Sequence, residues 1–425
     1  MLKFVQLLIP CVLICFAQHT IAADVRYNVG SSIAHYDNIN HDVSPADDEF
    51  SNSVYAGIEV IEENASFTST SDAQIDAINY RNNVVEDETN LRLSTDNLWT
   101  INPGQFEWYV GNVFTQTAID SLISDTPTNR QNINVFSTGP NYIIRINARN
   151  NLRLEARAEN FNYEESADSN RLFIATRWGY DLNSTTRITA NDEAITAKYN
   201  GDTISDYNRN DIYVGVEYIR GLNTFNAEYG LTRIDNENTT DFDGDRYLIS
   251  FTNTRTRTSS IRFIYENILT DTGDRLIQNI TSDALNNLDS EVSANDIFLE
   301  KSYRARYMKT LSSGELAFQV GVTNRNYEIQ PHLDEKDKEA IINTVWNLKR
   351  TNRINFDINY INRTYQDPAF NRVDKDYEYS INYLHEFMRN VNFTIEVTSN
   401  ERISTITNEA YEDVRYILSL NYTTL

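Results

Sequence analysis

The sequence predicts an all-β protein of one architecture: a transmembrane, antiparallel, up-and-down β-barrel of about 16–20 strands, with short periplasmic turns and long external loops. Three observations predict it. The stretch from Asp211 to Thr232 reads as a β-hairpin with period-2 alternation: Ile212, Val214, Val216 and Tyr218 share one face, and Tyr213, Gly215 and Glu217 the other. After the turn at Arg220-Gly221-Leu222-Asn223, the second arm sets Phe225, Ala227, Tyr229 and Leu231 against Asn226, Glu228, Gly230 and Thr232. Hairpins of this kind recur in different letters almost to the C-terminus, behind a secretory leader. Composition is the third observation: 26 Tyr and 19 Phe stand against 7 Pro and 3 Met, as interfacial aromatic girdles require.

The chain divides into residues 1–22 and 23–425. Met1 to Ala22 carries one basic residue, Lys3, then a mostly apolar run from Phe4 to Ala17, and ends near Thr20-Ile21-Ala22-Ala23. This reads as a cleaved signal peptide, too short to cross a bilayer as a helix. Cys11 and Cys15 follow Pro10 and Ile14 rather than a small residue, which argues against a lipidated anchor, and both leave with the leader. The mature chain then offers no thiol for disulfide, metal or nucleophile. A mean hydropathy of −0.52 does not oppose a barrel, because only every second strand residue meets lipid.

Val25, Tyr27 and Val29 open the first strand, followed by an acidic loop from His35 to Phe50. Arms at Ser53–Ile61 and Ala65–Tyr80 are weaker. From Thr89 the pattern sharpens: Leu91 and Leu93 lead to Trp99 and Ile101, Asn102-Pro103-Gly104-Gln105 turns the chain, and Phe106, Trp108 and Val110 return. Short turns recur at residues 149–151, 183–184, 221–222, 257–258, 312–314, 350–352 and 389–390. Polar loops alternate with them, at residues 118–130, 164–170, 200–210, 235–245, 271–296, 328–338, 366–376 and 405–412. Both termini fall on the turn side. The last strand places Tyr416, Leu418, Leu420 and Tyr422 toward lipid, while the terminal Leu425 falls on the other register.

Several local patterns carry a family resemblance. Phe136-Ser137-Thr138-Gly139-Pro140 leads into Tyr142, Ile144 and Ile146, and Tyr163-Glu164 is followed by Asp168 and Arg171. Ser205-Asp206-Tyr207 comes with Arg209 and Asp211, and a hairpin ends in Glu228-Tyr229-Gly230. Together they resemble the outer-membrane β-barrel porins found with bacterial exopolysaccharide-export systems. The resemblance implies an outer-membrane location and passage or export of polysaccharide, with the sugar and export-system proteins as partners beside outer-membrane lipid and lipopolysaccharide.

The charge balance, 37 Lys and Arg against 61 Asp and Glu, excludes nucleic acid as a partner. No catalytic constellation is expected. His35, His41 and His332 sit in or beside loops, and His385 shares the lipid register with Tyr379, Ile381 and Tyr383 near the turn at Arg389-Asn390, an interfacial position. A hydrolytic triad would need a histidine held in a cluster. Asp241-Phe242-Asp243-Gly244-Asp245 resembles half of a calcium loop but lacks the closing acidic ligand, so it reads as a solvated acidic loop, and no metal or cofactor is called for.

The most informative polar set is inward by alternation. Arg145, Arg153, Arg157, Arg171 and Arg177 interleave with Glu155 and Glu159. These residues could be ion pairs that stiffen the wall. They could instead be a track for anionic or hydroxyl-rich solutes, because guanidinium forks bind carboxylates bidentately, with Tyr213 and Phe173 available to stack on sugar rings. A polysaccharide passage is the leading functional expectation. A structural or adhesive barrel with an occluded lumen, or a general diffusion porin, is the alternative.

Overall fold

The computed structural model describes residues 23–43, 47–120, 122–200, 205–237, 240–256, 258–271, 273–275, 297–328, 330–366 and 371–424. The expected leader, the terminal Leu425 and most of the 271–296 loop lie outside these residues.

Twenty strands form one sheet, each paired antiparallel with its sequence neighbours. In chain order they are β1 Asp24–Tyr36, β2 Glu49–Glu63, β3 Phe67–Tyr80, β4 Glu88–Asn102, β5 Phe106–Ala118, β6 Arg130–Asn147 and β7 Asn150–Tyr163. Then come β8 Ser169–Asn183, β9 Thr186–Tyr199, β10 Tyr207–Arg220, β11 Asn223–Asn236, β12 Phe242–Thr256, β13 Ser259–Asp271 and β14 Ile297–Leu311. The ring continues through β15 Gly314–Tyr327, β16 Glu335–Lys349, β17 Asn352–Tyr365, β18 Val373–Met388, β19 Val391–Ser404 and β20 Tyr411–Thr423. β1 pairs β20 from Asn28↔Thr423 to Tyr36↔Arg415, which closes the ring. Closure removes both sheet edges, as a bilayer demands of any strand that crosses it.

Turn chemistry explains the tight end. At residues 102–105 the amide of Gln105 donates to the carbonyl of Asn102 at 3.0 Å, and Gly104 has φ 70°. Pro103 followed by a left-handed glycine is the type II arrangement. Between β2 and β3 the Asn64 carboxamide oxygen accepts from the amides of Ser66 (2.9 Å) and Phe67 (2.8 Å). Both weak early arms are therefore full strands.

The outer face follows the expected alternation. Ile212, Val214, Tyr229, Leu231, Phe356, Ile395, Tyr416, Leu418, Leu420 and Tyr422 are exposed to the exterior. Toward the loop end Tyr229–Tyr247, Tyr265–Tyr303 and Tyr360–Tyr377 sit 5.2, 4.7 and 5.0 Å apart across strands, an aromatic girdle. His385, expected at the interface, contacts Phe387 at 4.5 Å and Asn352 Oδ1 at 2.8 Å beside the β18–β19 turn.

Beyond the girdle the strands continue further than the hydropathy pattern suggests. A tilted strand needs only about 9–11 residues to cross a bilayer, and β10, β12, β16 and β18 each begin inside segments that read as loops: at Tyr207, Phe242, Glu335 and Val373. Past the bilayer both faces are wet, so outward Asn208, Lys336 and Lys338 are exposed and polar and the apolar alternation vanishes although the ladder persists. The solvated acidic loop expected at Asp241–Asp245 is corrected in the same way. Asp243 and Asp245 lie on β12, and Phe242 packs inward against a buried cluster. No group of three potential metal-ligating side chains occurs among the described residues.

The buried core sits at the loop end of the lumen. Ile195, Ala197, Tyr207, Ile234, Leu269 and Ile297 form one cluster, and Phe298, Tyr327 and Leu333 another.

Candidate functional site: a charged lumen bridged at its outer mouth

Inward side chains alternate with lipid-facing ones on every strand, so a polar lumen is the direct product of the pattern that makes the outside apolar. Its charges are arranged differently at different depths.

At the loop end arginines are buried between carboxylates. Arg171 on β8 contacts Asp271 at 2.6 Å and Asp274 at 3.6 Å. Arg209 on β10 reaches Asp211 at 2.7 Å and also engages Asp274. Tyr207 donates to the second oxygen of Asp271 at 2.7 Å. Residues 268–271 at the end of β13 are successively buried, both faces covered. The root of the β13–β14 connection is thus drawn across the interior onto β8 and β10. Burial, followed by the adjacent Asp271, raises the Asp274 carboxyl to about 6.

A second chain of pairs follows round the wall. Arg275 meets Glu300 at 2.7 Å, Arg325 meets Glu300 at 3.1 Å and Glu335 at 2.6 Å, and Arg363 meets Asp337 at 3.2 Å and Glu335 at 3.3 Å. On β18 and β19, Arg402 holds Asp376 through two contacts of 2.5 and 3.1 Å.

The described residues of the β5–β6 connection, 119–120 and 122–129, cross this mouth. Leu122 packs against Phe298, Tyr327 and Leu333 on the far side of the ring. Ser124 accepts a hydrogen bond of 3.1 Å from Arg402 on β19. The crossing segment is internally stitched: the Asn129 carboxamide donates to the carbonyls of Asp120 (2.8 Å) and Ser124 (3.2 Å), and accepts from the amide of Asp120 at 3.0 Å. Arg130 holds Asp125 at 2.7 and 3.1 Å at its base. Beside it His41, with φ 57°, stacks on Tyr411 at 3.9 Å and 3°.

The arginines expected to form one track are dispersed. Arg153 pairs Glu155 at 2.7 Å; Arg177 pairs Glu193 at 2.7 Å and Glu155 at 3.5 Å. Arg157 donates to the Pro140 carbonyl at 3.1 Å and to Asn141 at 2.6 Å, with its guanidinium 4.8 Å from the Tyr109 ring centroid. Arg145 lies exposed at the turn end beside Gly104. Glu159 accepts a 3.5 Å hydrogen bond from Ser137. Only Arg153, Arg177 and Glu155 form one cluster, and Arg171 belongs to the loop-end group. The aromatics expected to stack on sugars are engaged: Tyr213 donates to Glu193 at 2.5 Å beneath the Arg246 guanidinium, and Phe173 packs against the Ile195 cluster. Arg209 and Asp271 were not picked as site residues because they sit in polar segments taken for loops, while Arg325 and Arg363 lie on β15 and β17 just short of such segments. Strand parity carried through those segments is the signal that finds them.

No protein-family model matches the sequence, and no curated protein does. Solved structures do match in fold. The siderophore receptor PirA from Pseudomonas aeruginosa superposes with a TM-score of 0.52 at 9% identity, covering 94% of this chain and 80% of that one. OccK2 (OpdF) from Pseudomonas aeruginosa, solved with glucuronate, gives 0.43 at 10% identity over 95% and 98% of the two chains. OccAB2 from Acinetobacter baumannii gives 0.42 at 11% over 95% and 98%. The likeness is one of fold: a closed antiparallel outer-membrane β-barrel.

Proposed function

We propose that the protein is a passive outer-membrane channel for small hydrophilic solutes, with its outer mouth narrowed by chain folded into the barrel. The observation that carries this is the bridge from Leu122 to the Phe298 cluster and from Ser124 to Arg402, above a lumen whose turn-end arginines remain exposed. A ring of this many strands is wider than its inward side chains can fill. Chain across one mouth converts that width into smaller openings. A polymer would have to displace the bridge, so small solutes suit the geometry better than the polysaccharide export implied by the sequence resemblance. Channel proteins of similar fold, such as the one solved with glucuronate, are compatible with this reading.

Liposomes containing the folded protein test it. Monosaccharides should cause swelling and single-channel recordings should show discrete conductance, while oligosaccharides of increasing length should be progressively excluded. A barrel passing neither ions nor monosaccharides would replace this reading with that of an occluded structural barrel. Free passage of long chains would restore polysaccharide export.

A further inference from the structure

We propose that Arg262 and Arg306 form an oxyanion-binding site in the turn-end vestibule of the lumen, taking the carboxylate or phosphate group of a small solute. Their register makes them direct cross-strand partners on β13 and β14. Phe263, Tyr303 and Tyr307 on the alternate positions are exposed to the exterior, so both arginines face the lumen. Both are exposed there, and neither has an ion pair among the described residues.

Two like charges directly opposite destabilise a sheet, with Cβ atoms only about 5 Å apart. The same two strands avoid that cost one repeat outward: Arg304 is held by Glu266, and Ser302 donates to Glu266 at 2.9 Å. At the Arg262–Arg306 level the flanking inward residues are Thr252 on β12 and Gln319 on β15. The row Thr252–Arg262–Arg306–Gln319 therefore contains cations and neutral hydrogen-bonding groups but no carboxylate. Gln319 is itself oriented by donating to Glu339 at 3.0 Å. An oxyanion between the two guanidinium forks would accept charge-assisted hydrogen bonds from both and relieve their repulsion.

For its role in transport the site rests on the channel reading; its existence does not. Sodium succinate and inorganic phosphate, titrated calorimetrically into the folded barrel in detergent, are the probes. The wild-type protein should bind both saturably, and R262Q/R306Q should bind them about tenfold more weakly or worse. In planar bilayers under a potassium chloride gradient, the same variant should shift the reversal potential toward cation selectivity. R262K/R306K should keep the wild-type reversal potential but lose affinity for succinate, because it retains charge without the fork. Heat-modifiable gel mobility establishes that each variant is folded. Absence of saturable binding by the wild type, or undiminished binding by folded R262Q/R306Q, overturns the site. Binding without any current leaves the site standing and defeats the channel; current with an unaltered reversal potential and no binding does the reverse.

Discussion

The two ends of the lumen treat arginine in opposite ways. At the loop end Arg171, Arg209 and Arg363 are almost fully buried, each within hydrogen-bonding reach of a carboxylate. At the turn end Arg145, Arg262, Arg306 and Arg353 stand exposed without ion pairs among the described residues. Desolvation accounts for the contrast. A buried guanidinium must be paired because the loss of water is too costly otherwise, whereas one facing a wet vestibule keeps its hydration and remains available to a passing solute. One residue type on one face of one sheet thus ties the wall together at one mouth and, at these four positions of the other, stays outside the ion-pair network.

The largest expected effect breaks that comparison directly. Arg325→Met removes the shared partner of Glu300, Glu335 and Asp337, leaving three buried carboxylates to the two cations Arg275 and Arg363. Breaking a buried pair costs roughly 3–5 kcal/mol. Arg306→Met, on the same inner wall but exposed and unpaired, should be near neutral or slightly stabilising, since it relieves repulsion with Arg262. Urea unfolding in lipid vesicles measures both. Equal losses would show that the two mouths do not differ in the way burial indicates.

How far the sequence makes this legible depends on where each strand meets lipid. Wherever one face is lipid and the other water, alternation is strong, and hairpins such as Asp211–Thr232 can be read with faces and turn in place. Where a strand leaves the bilayer the contrast between faces disappears. Tyr207 to Asn210 and Glu335 to Asp337 then look like loop although they are laddered. The inward arginines were legible as inward by parity. Glu155 was legible as a partner of Arg153 and Arg177, but the partners of Arg171 were not, because Asp271 and Asp274 reach it across the interior and no local spacing encodes a contact between β8 and the root of a distant loop. The bridging role of Leu122 was hidden for the same reason: it finds its partners on β14, on β15 and in the turn after it.

A moderate effect should sharpen the comparison at the outer mouth. Leu122→Asp places a charge against Phe298, Tyr327 and Leu333, where it has no partner, so the bridge should undock while the closed sheet stays intact. Single-channel conductance should rise severalfold, larger sugars should enter liposomes, and amides of residues 119–129 should exchange faster. The turn-end variants R262Q/R306Q should change selectivity without enlarging the size limit. If folded Leu122→Asp conducts and excludes sugars as the wild type does, the bridge is not what narrows the passage.

The smallest effect is a pH dependence confined to the bridged mouth. His41 stacks on Tyr411, whose ring also lies 5.6 Å from the Arg402 guanidinium, and its Nδ1 is buried without a hydrogen-bond partner. Burial, then the positive charge of Arg402, lowers the imidazole to about 4, below its ordinary value near 6.5. The docked loop therefore holds His41 neutral, while an undocked loop binds a proton at its ordinary value. As pH falls from about 6.5 toward 4 the undocked state takes up more protons, so docking weakens, by at most about tenfold in the opening equilibrium per pH unit. Hydrogen exchange at residues 37–42, corrected for intrinsic rates, should show this slope in the wild type. His41→Asn should abolish it, because asparagine tolerates the left-handed backbone that His41 adopts and does not titrate. An identical slope in both proteins would assign the pH response to another group, and that group would not be Asp274. That carboxyl is raised rather than lowered, so its protonation works in the opposite direction and favours the docked state as pH falls.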